Sequence, residues 1–591
     1  MFIYLVFFSL QKLPYPKSVG FIVTNEFCER FSYYGIRTVL SLYLRDKLGY
    51  TDDSATVIYH VFVMFAYFFP LMGAMIADGW LGRFRTIFYL SLVYATGSIL
   101  LSVTAMPPVS LPPLEFTILA LLLIAFGTGG IKPCVSAFGG DQFKLPEQEK
   151  YLGYFFSLFY FSINAGSLIS TFLTPILRAD VKCFGENSCY SLAFGVPGVL
   201  MIISIIFFVA GKRLYIIKNP SGNVLGKVSS CIGHAIMNSS KSKQKREHWL
   251  DHADDKYDAN MIEDIKSLLR VLVLFLPLPV FWALFDQQGS RWTFQADRME
   301  QDIGSWTLKA DQMQVINPLL ILVFIPLFEV AIYPFMTYCK LIRKPLHKMI
   351  WGGILAACAF IISGVVELNL LVSVIIYLLK LIPEQVFSPH LKIQYTRPKD
   401  SSCENMTFNG HFHLLEKTAN SYFIADKSVY SFIDNNNKAI DGVSIRYVNE
   451  TLLVLYNCIM ANTVTITPPN SVHILWLVPQ YVVLTMGEVM FSVTGLEFSF
   501  TQAPASMKSV LTSVWLLTVA FGNLIVVFIV EGNFLDAQWK EFFLFAGLML
   551  LDMLIFMLMA FRYKYVELKS SEENLAVEEI RMLYVERQMA R

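Results

Sequence analysis

Charge is scarce in this chain. Only 16 % of its 591 residues are Asp, Glu, Lys or Arg, against about 25 % in soluble domains, so most of the chain cannot present an ordinary solvated surface. The charge that remains nearly cancels, to a net +1, which leaves no polycationic face for nucleic acid. Cysteine is sparse too: nine residues, with no CxxC pair and no His-rich metal spacing, so neither a metal nor a cofactor is expected. Walker-type loops, metal-ligand clusters and nucleophile–base patterns are missing, which argues against an enzyme. A convincing cleavable signal is also missing. Met1–Leu10 is apolar but lacks a basic n-region and a small-residue cleavage site, and reads as a short interfacial anchor or a gene-model artefact.

What the chain has is apolar bulk, 55 % hydrophobic and 15 % aromatic, the composition of a polytopic membrane protein. Runs long enough to cross a bilayer fall near 18–45, 57–79, 86–106, 114–137, 153–177, 191–211, 268–289, 313–337, 348–368, 472–495, 508–531 and 541–562, giving twelve spans and an all-α fold. Arg83 and Arg85, Lys212 and Arg213, and Lys340, Arg343, Lys344 and Lys348 follow even-numbered spans. The opposite loops are poorer in Lys and Arg, so the basic loops and both termini are expected in the cytoplasm. The spans divide six and six around 212–266, an amphipathic connector carrying Lys241 to Arg246. The expected organisation is a six-helix bundle over 1–211, this connector, three spans over 267–368, an outward segment over 369–470, three spans over 471–562 and a cytoplasmic tail over 563–591. Sequons at Asn405 and Asn449 fall in the outward segment. Cys183 and Cys189 share one outward loop, and Cys403 and Cys458 share the outward segment, so either pair is a disulfide candidate.

Against this apolar background, a few ionisable residues stand out. Glu26, Glu29 and Arg30 lie at i, i+3 and i+4 on one face of the first span. Charges there cost several kcal/mol unless they pair or face water, and they mark a substrate or proton path. Glu488 sits in an apolar run with no basic neighbour in sequence, Lys132 precedes Pro133 in the fourth span, and His60 titrates near physiological pH. Arg37 and Tyr43 are also compatible with packing at a helix end, and a membrane Tyr or Trp with an interfacial belt.

The stretch Gly73 to Asp78, then Gly82-Arg83-Phe-Arg85-Thr86, resembles the cytoplasmic loop motif of the major facilitator superfamily, with Asp78 and Arg83 in a gating hinge. Three further stretches occur in order: Glu26-Phe-Cys-Glu29-Arg30-Phe-Ser-Tyr33-Tyr34-Gly35, Gly127-Thr-Gly-Gly130-Ile-Lys132-Pro133, and Phe159-Tyr160-Phe-Ser-Ile-Asn164-Ala-Gly166. Together they resemble the proton-coupled oligopeptide transporter (POT, or PTR) family. Phe281-Trp282-Ala-Leu-Phe285-Asp286-Gln-Gln-Gly-Ser290 and Gly487-Glu488-Val-Met-Phe resemble its animal members, the intestinal and renal di- and tripeptide transporters of solute carrier 15 type.

The resemblance implies a plasma-membrane symporter importing di- and tripeptides and peptidomimetics with protons by alternating access, apical in an epithelium and functional as a monomer. It implies Arg30, Arg37 and Lys132 at the peptide carboxylate, Glu488 at the amine, and Asn164 and Asn317 on the peptide backbone. Tyr34, Tyr43, Tyr67, Tyr160, Trp282, Phe285 and Trp515 fall at pocket or wall positions. Proton coupling falls to Glu26, Glu29 and His60, with Asp286 and Ser290 as gate partners of the histidine. Arg270 corresponds to one half of a gating ion pair, whose usual aspartate is here Glu329. The outward segment is shorter than in mammalian relatives and is expected to be a small β-rich, immunoglobulin-like lobe. Two other readings stay open: a peptide-binding nutrient sensor with little transport, and a carrier of another small metabolite on the same fold.

Overall fold

The computed structural model describes residues 15–107, 112–144, 148–220, 222, 224–241, 246–340, 342, 344–381, 472–502, 504, 507–532, 534–535 and 537–565, together with seven strands between 406 and 465. Among them, ten helices are long and apolar enough to cross a membrane. The pair Ala259–Val273 and Leu278–Asp297, bent by 50°, makes an eleventh span. The helix Ser18–Asp46 is the twelfth; it carries Glu26, Glu29, Arg30, Arg37, Arg45 and Asp46, and the first four of these are buried. The sequence therefore folds as expected, into an all-α membrane protein of twelve spans.

Local sequence explains the irregularities. The second span starts at Thr51, whose hydroxyl accepts from Ser54 N at 3.2 Å, and Asp52 and Asp53 fill its first turn, where the helix dipole favours negative charge. Pro277 and Pro279 interrupt the seventh span, since neither can donate an amide to the preceding turn. That span begins at Ala259, inside the stretch given to the connector, because the apolar stripe Ile262, Ile265, Leu268, Val271 is already buried there. The connector itself holds the helix Val224–Lys241 and the 3₁₀ turn Trp249–Ala253. Of three π turns, Ala77–Leu81 ends the second span, and Phe328–Ile332 and Val489–Val493 interrupt the eighth and tenth. Asp78 and Glu329 lie inside two of them and Glu488 directly precedes the third. Such turns insert one residue and locally re-aim side chains, often at functional sites.

Within the first half, span one packs on five and six, two on four, and three on four and six. The halves meet where span two packs on eleven and span five on eight. Adding six to two and five gives eight and eleven, so the two contacts exchange under a two-fold axis relating parallel halves. Cross-half ion pairs cluster at the end of the bundle away from Tyr15 and Tyr565: Arg45–Asp297 (2.7 Å), Arg178–Asp311 (2.8 Å), Arg291–Asp53 (2.7 Å) and Lys309–Asp180 (2.8 Å). This end is called distal below and the opposite end proximal. Cys183 and Cys189 form a disulfide at the distal end.

The chain divides into two compact units, and Arg298–Glu300 with Val366–His473 make the second. In it, Met406–Gly410 pairs antiparallel with Tyr430–Asp434. Glu416–Thr418, Ser421–Phe423, Ser444–Val448, Thr451–Leu455 and Asn462–Thr465 follow one another in a five-stranded antiparallel sheet. Asn405, Asn449, Cys403 and Cys458 lie outside the described residues.

Close backbone approach depends on glycine at one position above all. A Cβ on Gly73 of the second span would come within 2.3 Å of Gly130 O and 2.4 Å of its Cα on the fourth, and backbone cannot step aside as a side chain can. Gly73→Ala is expected to cost about 1–3 kcal/mol and to lower the melting temperature in detergent. Gly547→Ala, where a Cβ meets nothing within 4 Å, should leave melting unchanged or raised. Equal melting of the two variants would refute the close packing.

Candidate functional site

Three clusters of polar side chains lie inside the membrane unit. The first is on spans one, two and four. Arg30 Nε stands 2.9 Å from Glu26 Oε1 and 2.6 Å from Glu29 Oε2, and the three side chains are almost wholly buried. Thr128 donates to the other oxygen of Glu29 at 2.6 Å. Arg30 takes both carboxylates, and Lys132 has no hydrogen-bond partner among the described residues. Its Nζ sits 3.7 Å from the ring centroid of Tyr67 and 4.4 Å from that of Tyr33. Two aromatic faces stabilise a cation without neutralising it, so this ammonium keeps its capacity for an anion.

The second cluster is on the other half. Asn317 Nδ2 donates to Glu488 Oε2 at 2.7 Å and lies 3.1 Å from Thr485 Oγ1. Gly487, just before Glu488, approaches the ninth span so closely that its Cβ would fall 2.7 Å from Gly352 O, which fixes the carboxylate relative to that helix. Beside it Trp282 meets Phe285 and Trp515 edge-on, with centroids 5.7 and 6.2 Å apart, and donates from Nε1 to Thr518 at 3.1 Å. Tyr34, half-buried on the first span, lies within electrostatic reach of Arg30 and Arg37 on its own half and of Glu488 and Asp286 on the other. The two poles therefore address a shared interior.

The third cluster closes the distal side of that interior. Asp286 receives Arg37 at 2.5 Å on one oxygen and Asn523 Nδ2 at 2.7 Å on the other. Arg37 Nε donates to Tyr59 at 2.6 Å. His60 lies between Asn523 Oδ1 (2.7 Å from Nδ1) and Ser290 Oγ (2.9 Å from Nε2). Since Asn523 spends its amide hydrogens on Asp286 and on Val519 O, its Oδ1 must accept. Nδ1 of His60 therefore carries a proton, and in the neutral ring Nε2 accepts from the Ser290 hydroxyl. The ring joins span two to spans seven and eleven.

The structure brings most of the expected residues together, with several corrections. Asp286 reaches His60 only through Asn523, a residue the sequence reading passed over. An amide inside the apolar run Val519 to Val526 was the available signal. Tyr59 was also missed, and its sequence context carries no comparable signal. Tyr43 does not line the interior: it is fully buried in the first half, 3.3 Å from Thr117 Oγ1 and edge-on to Phe194. Asn164 donates to Tyr160 O within its own helix, and the Tyr160 side chain is exposed. Arg270 and Glu329 form no ion pair with each other among the described residues. Asp78 and Arg83 stay within the first half rather than reaching across: Arg83 pairs with Asp141 at 2.5 Å and with Asp78 at 3.6 Å, and Lys218 joins at Asp141.

The POT family profile matches residues 84–390 and 450–532. Peptide transporter family 1 of Drosophila melanogaster is 43 % identical over 669 aligned positions, covering 95 % of this chain and 89 % of the relative. Solute carrier family 15 member 2 of Homo sapiens is 41 % identical over 668, covering 94 % and 91 %. This chain belongs to the POT family. The alignments run longer than its 591 residues, so these POT relatives contain stretches this member lacks. The crystal structure of the POT family transporter PepTSo superposes with a TM-score of 0.67 at 26 % identity, covering 93 % of this chain and 98 % of that one. The structure of an auto-inhibited POT family peptide transporter gives 0.65 at 26 % identity, covering 94 % and 99 %. The likeness supports two six-helix bundles of major facilitator type, and the relatives are named as transporters rather than enzymes.

The Arg37–Asp286 pair gives this POT member a test of its distal closure. Arg37→Met leaves a buried carboxylate short of a cation, a loss of about 3–5 kcal/mol in comparable buried pairs. Arg37→Met with Asp286→Asn removes both charges and should melt closer to wild type than the single variant. A double variant less stable than Arg37→Met would show that the pair is not the dominant contact.

Proposed function

We propose that this chain is a proton-coupled symporter that imports di- and tripeptides, and compounds with the same end-to-end charge spacing, across the plasma membrane. The observation that carries the reading is the division of opposite poles between the halves: the Lys132 ammonium, without a hydrogen-bond partner among the described residues, beside Arg30 on one, and Glu488 held by Asn317 on the other. A zwitterionic peptide answers both poles at once, its carboxylate to Lys132 and its amine to Glu488. A single anion or cation answers only one. The family membership and the printed names of the peptide-transporting relatives point the same way.

The mechanism follows from which contacts each ligand rearranges. A peptide bridging the poles draws the halves together around itself, and only interactions that differ between the two states can drive that change. Charge asymmetry puts the proximal end and both termini in the cytoplasm, so the distal lock is the outer gate. Here that gate is shut by a neutral His60 accepting from Ser290. A proton arriving at Nε2 turns that acceptor into a donor, and the Ser290 hydroxyl must turn its own hydrogen away to accept it. The charged ring then competes with Arg37 for Asp286, which loosens the outer gate. On the inner side, Glu26 and Glu29 share Arg30, and a peptide carboxylate competing for Arg30 frees one of them to take the proton onward. Aromatic walls at Tyr34, Tyr67, Trp282, Phe285 and Trp515 supply contact area without side-chain-specific hydrogen bonds, which suits a broad substrate range. The proton gradient and membrane potential each supply about 1–2 kcal/mol per charge.

Uptake of a labelled, hydrolysis-resistant dipeptide in voltage-clamped cells tests this directly. Acid outside should stimulate both uptake and inward current, and Glu488→Gln should abolish both at equal surface expression. A dipeptide blocked at both termini should fail to compete. Absence of current in the wild-type chain at confirmed surface expression would remove the symport reading and leave peptide binding without transport.

A further inference from the structure

Just past the twelfth span the chain leaves the helix at Tyr563, with extended backbone (φ −72°, ψ 126°). In extended chain, alternate residues share a face. Tyr563 and Tyr565 are accordingly half-buried, while Lys564 between them is exposed. Both rings meet Phe498 of the tenth span edge-on, at centroid distances of 5.4 and 5.9 Å, and each other at 5.4 Å. Tyr563 Oη donates to Gln502, the last residue of that span's helix, at 3.2 Å. From the start of the ninth span, Lys344 Nζ stands 5.0 Å from the Tyr565 ring centroid. Three aromatic rings and a cation thus clasp the proximal half of the tenth span to the ninth and twelfth.

That half of the helix reaches the proposed substrate wall. Gly495 lies one turn before Phe498 on the same face. A Cβ on Gly495 would be 2.7 Å from Trp515 Cη2 and 2.8 Å from Met349 Cε, so the backbone there is in direct contact with the Trp515 indole. Above it the π turn Val489–Val493 separates this half from the Glu488 half, whose own position is set by Gly487 against Gly352. The two halves of the tenth span therefore have separate contacts: a glycine contact for the half bearing Glu488, and, for the half bearing on Trp515, the tyrosine clasp at its end and the Tyr333–Thr494 hydrogen bond at its start.

We propose that Tyr563 and Tyr565 are positioning residues for substrate side chains, setting the width of the pocket at Trp515 through Phe498 and Gly495. The inference rests on the peptide-transport reading above and extends it to specificity. Loosening the clasp lets the proximal half move about the π turn, and the Trp515 wall with it, while Glu488 and the charged poles stay in place. The effect falls on peptides with large side chains and spares those whose recognition is by their termini alone.

The test is uptake by the full chain of two hydrolysis-resistant dipeptides, one with methyl side chains and one with aromatic side chains, normalised to surface protein. In Tyr563→Ala/Tyr565→Ala the KM for the aromatic peptide should change at least fivefold and that for the small peptide less than twofold. The maximal rate for the small peptide should be retained. Tyr563→Phe/Tyr565→Phe keeps the rings and should behave as wild type toward both peptides. Gly495→Ala, which presses on Trp515 from the clasp side, should raise KM for the aromatic peptide selectively. Equal KM changes for the two peptides, no change in either, or failure of the phenylalanine variant to restore the ratio would overturn the proposal. A wild-type chain that takes up neither peptide would instead overturn the transport reading, and the specificity role with it.

Discussion

Asp286 holds the two halves of this membrane unit together. Its oxygens receive a guanidinium from span one and an amide from span eleven, and that amide in turn orients the only histidine of the first six spans. A carboxylate in so apolar a setting is tolerated only while both oxygens are satisfied. The arrangement is therefore all-or-none: while Asp286 is bound the distal end is shut, and separation of the halves means finding new partners for Arg37, Asn523 and His60 together. Arg45–Asp297, Arg178–Asp311 and Arg291–Asp53 reinforce the same end. Ion pairs of this kind contribute less to raw stability than to deciding which surfaces meet.

The interior below this lock contrasts with it. Two carboxylates share one arginine, and a lysine rests against aromatic faces without a hydrogen-bond partner among the described residues. On the opposite half a glutamate is bound by an asparagine and has no ion pair among the described residues. Such poles are costly in a bilayer protein and are held where a ligand or a proton can complete them. The placement of carboxylates in or beside the three π turns fits this economy of charge, because such a turn re-aims side chains locally.

Much of this was legible in the chain. Twelve apolar runs, split six and six, gave the span count and the halves. The Glu26–Glu29–Arg30 spacing and the isolated Glu488 announced charge buried inside the membrane unit. What spacing could not supply was partnership. Asn523 and Asp286 are 237 residues apart, and nothing local says that an amide in the eleventh span bridges His60 to the seventh. Tyr43 was given a pocket position by resemblance, with helix-end packing left open, and it lies in the first half's own core. Arg270 and Glu329 were read as partners by resemblance, while no ion pair joins them among the described residues and Tyr563 lies within electrostatic reach of the arginine.

The sequence by itself determined which segments enter the membrane, which residues carry charge into it, and the family to which the chain belongs. The first two follow from composition and periodicity, which local physics reads directly; the family rests on motif resemblance and on likeness to its known members. The tertiary structure alone decided who pairs with whom: that Arg30 takes both glutamates, that Lys132 is left over, and that Asp286 joins the halves through Asn523. The reason is that in a medium of low dielectric a buried charge is governed by the few atoms within hydrogen-bond reach. Those atoms come from helices far apart in the chain.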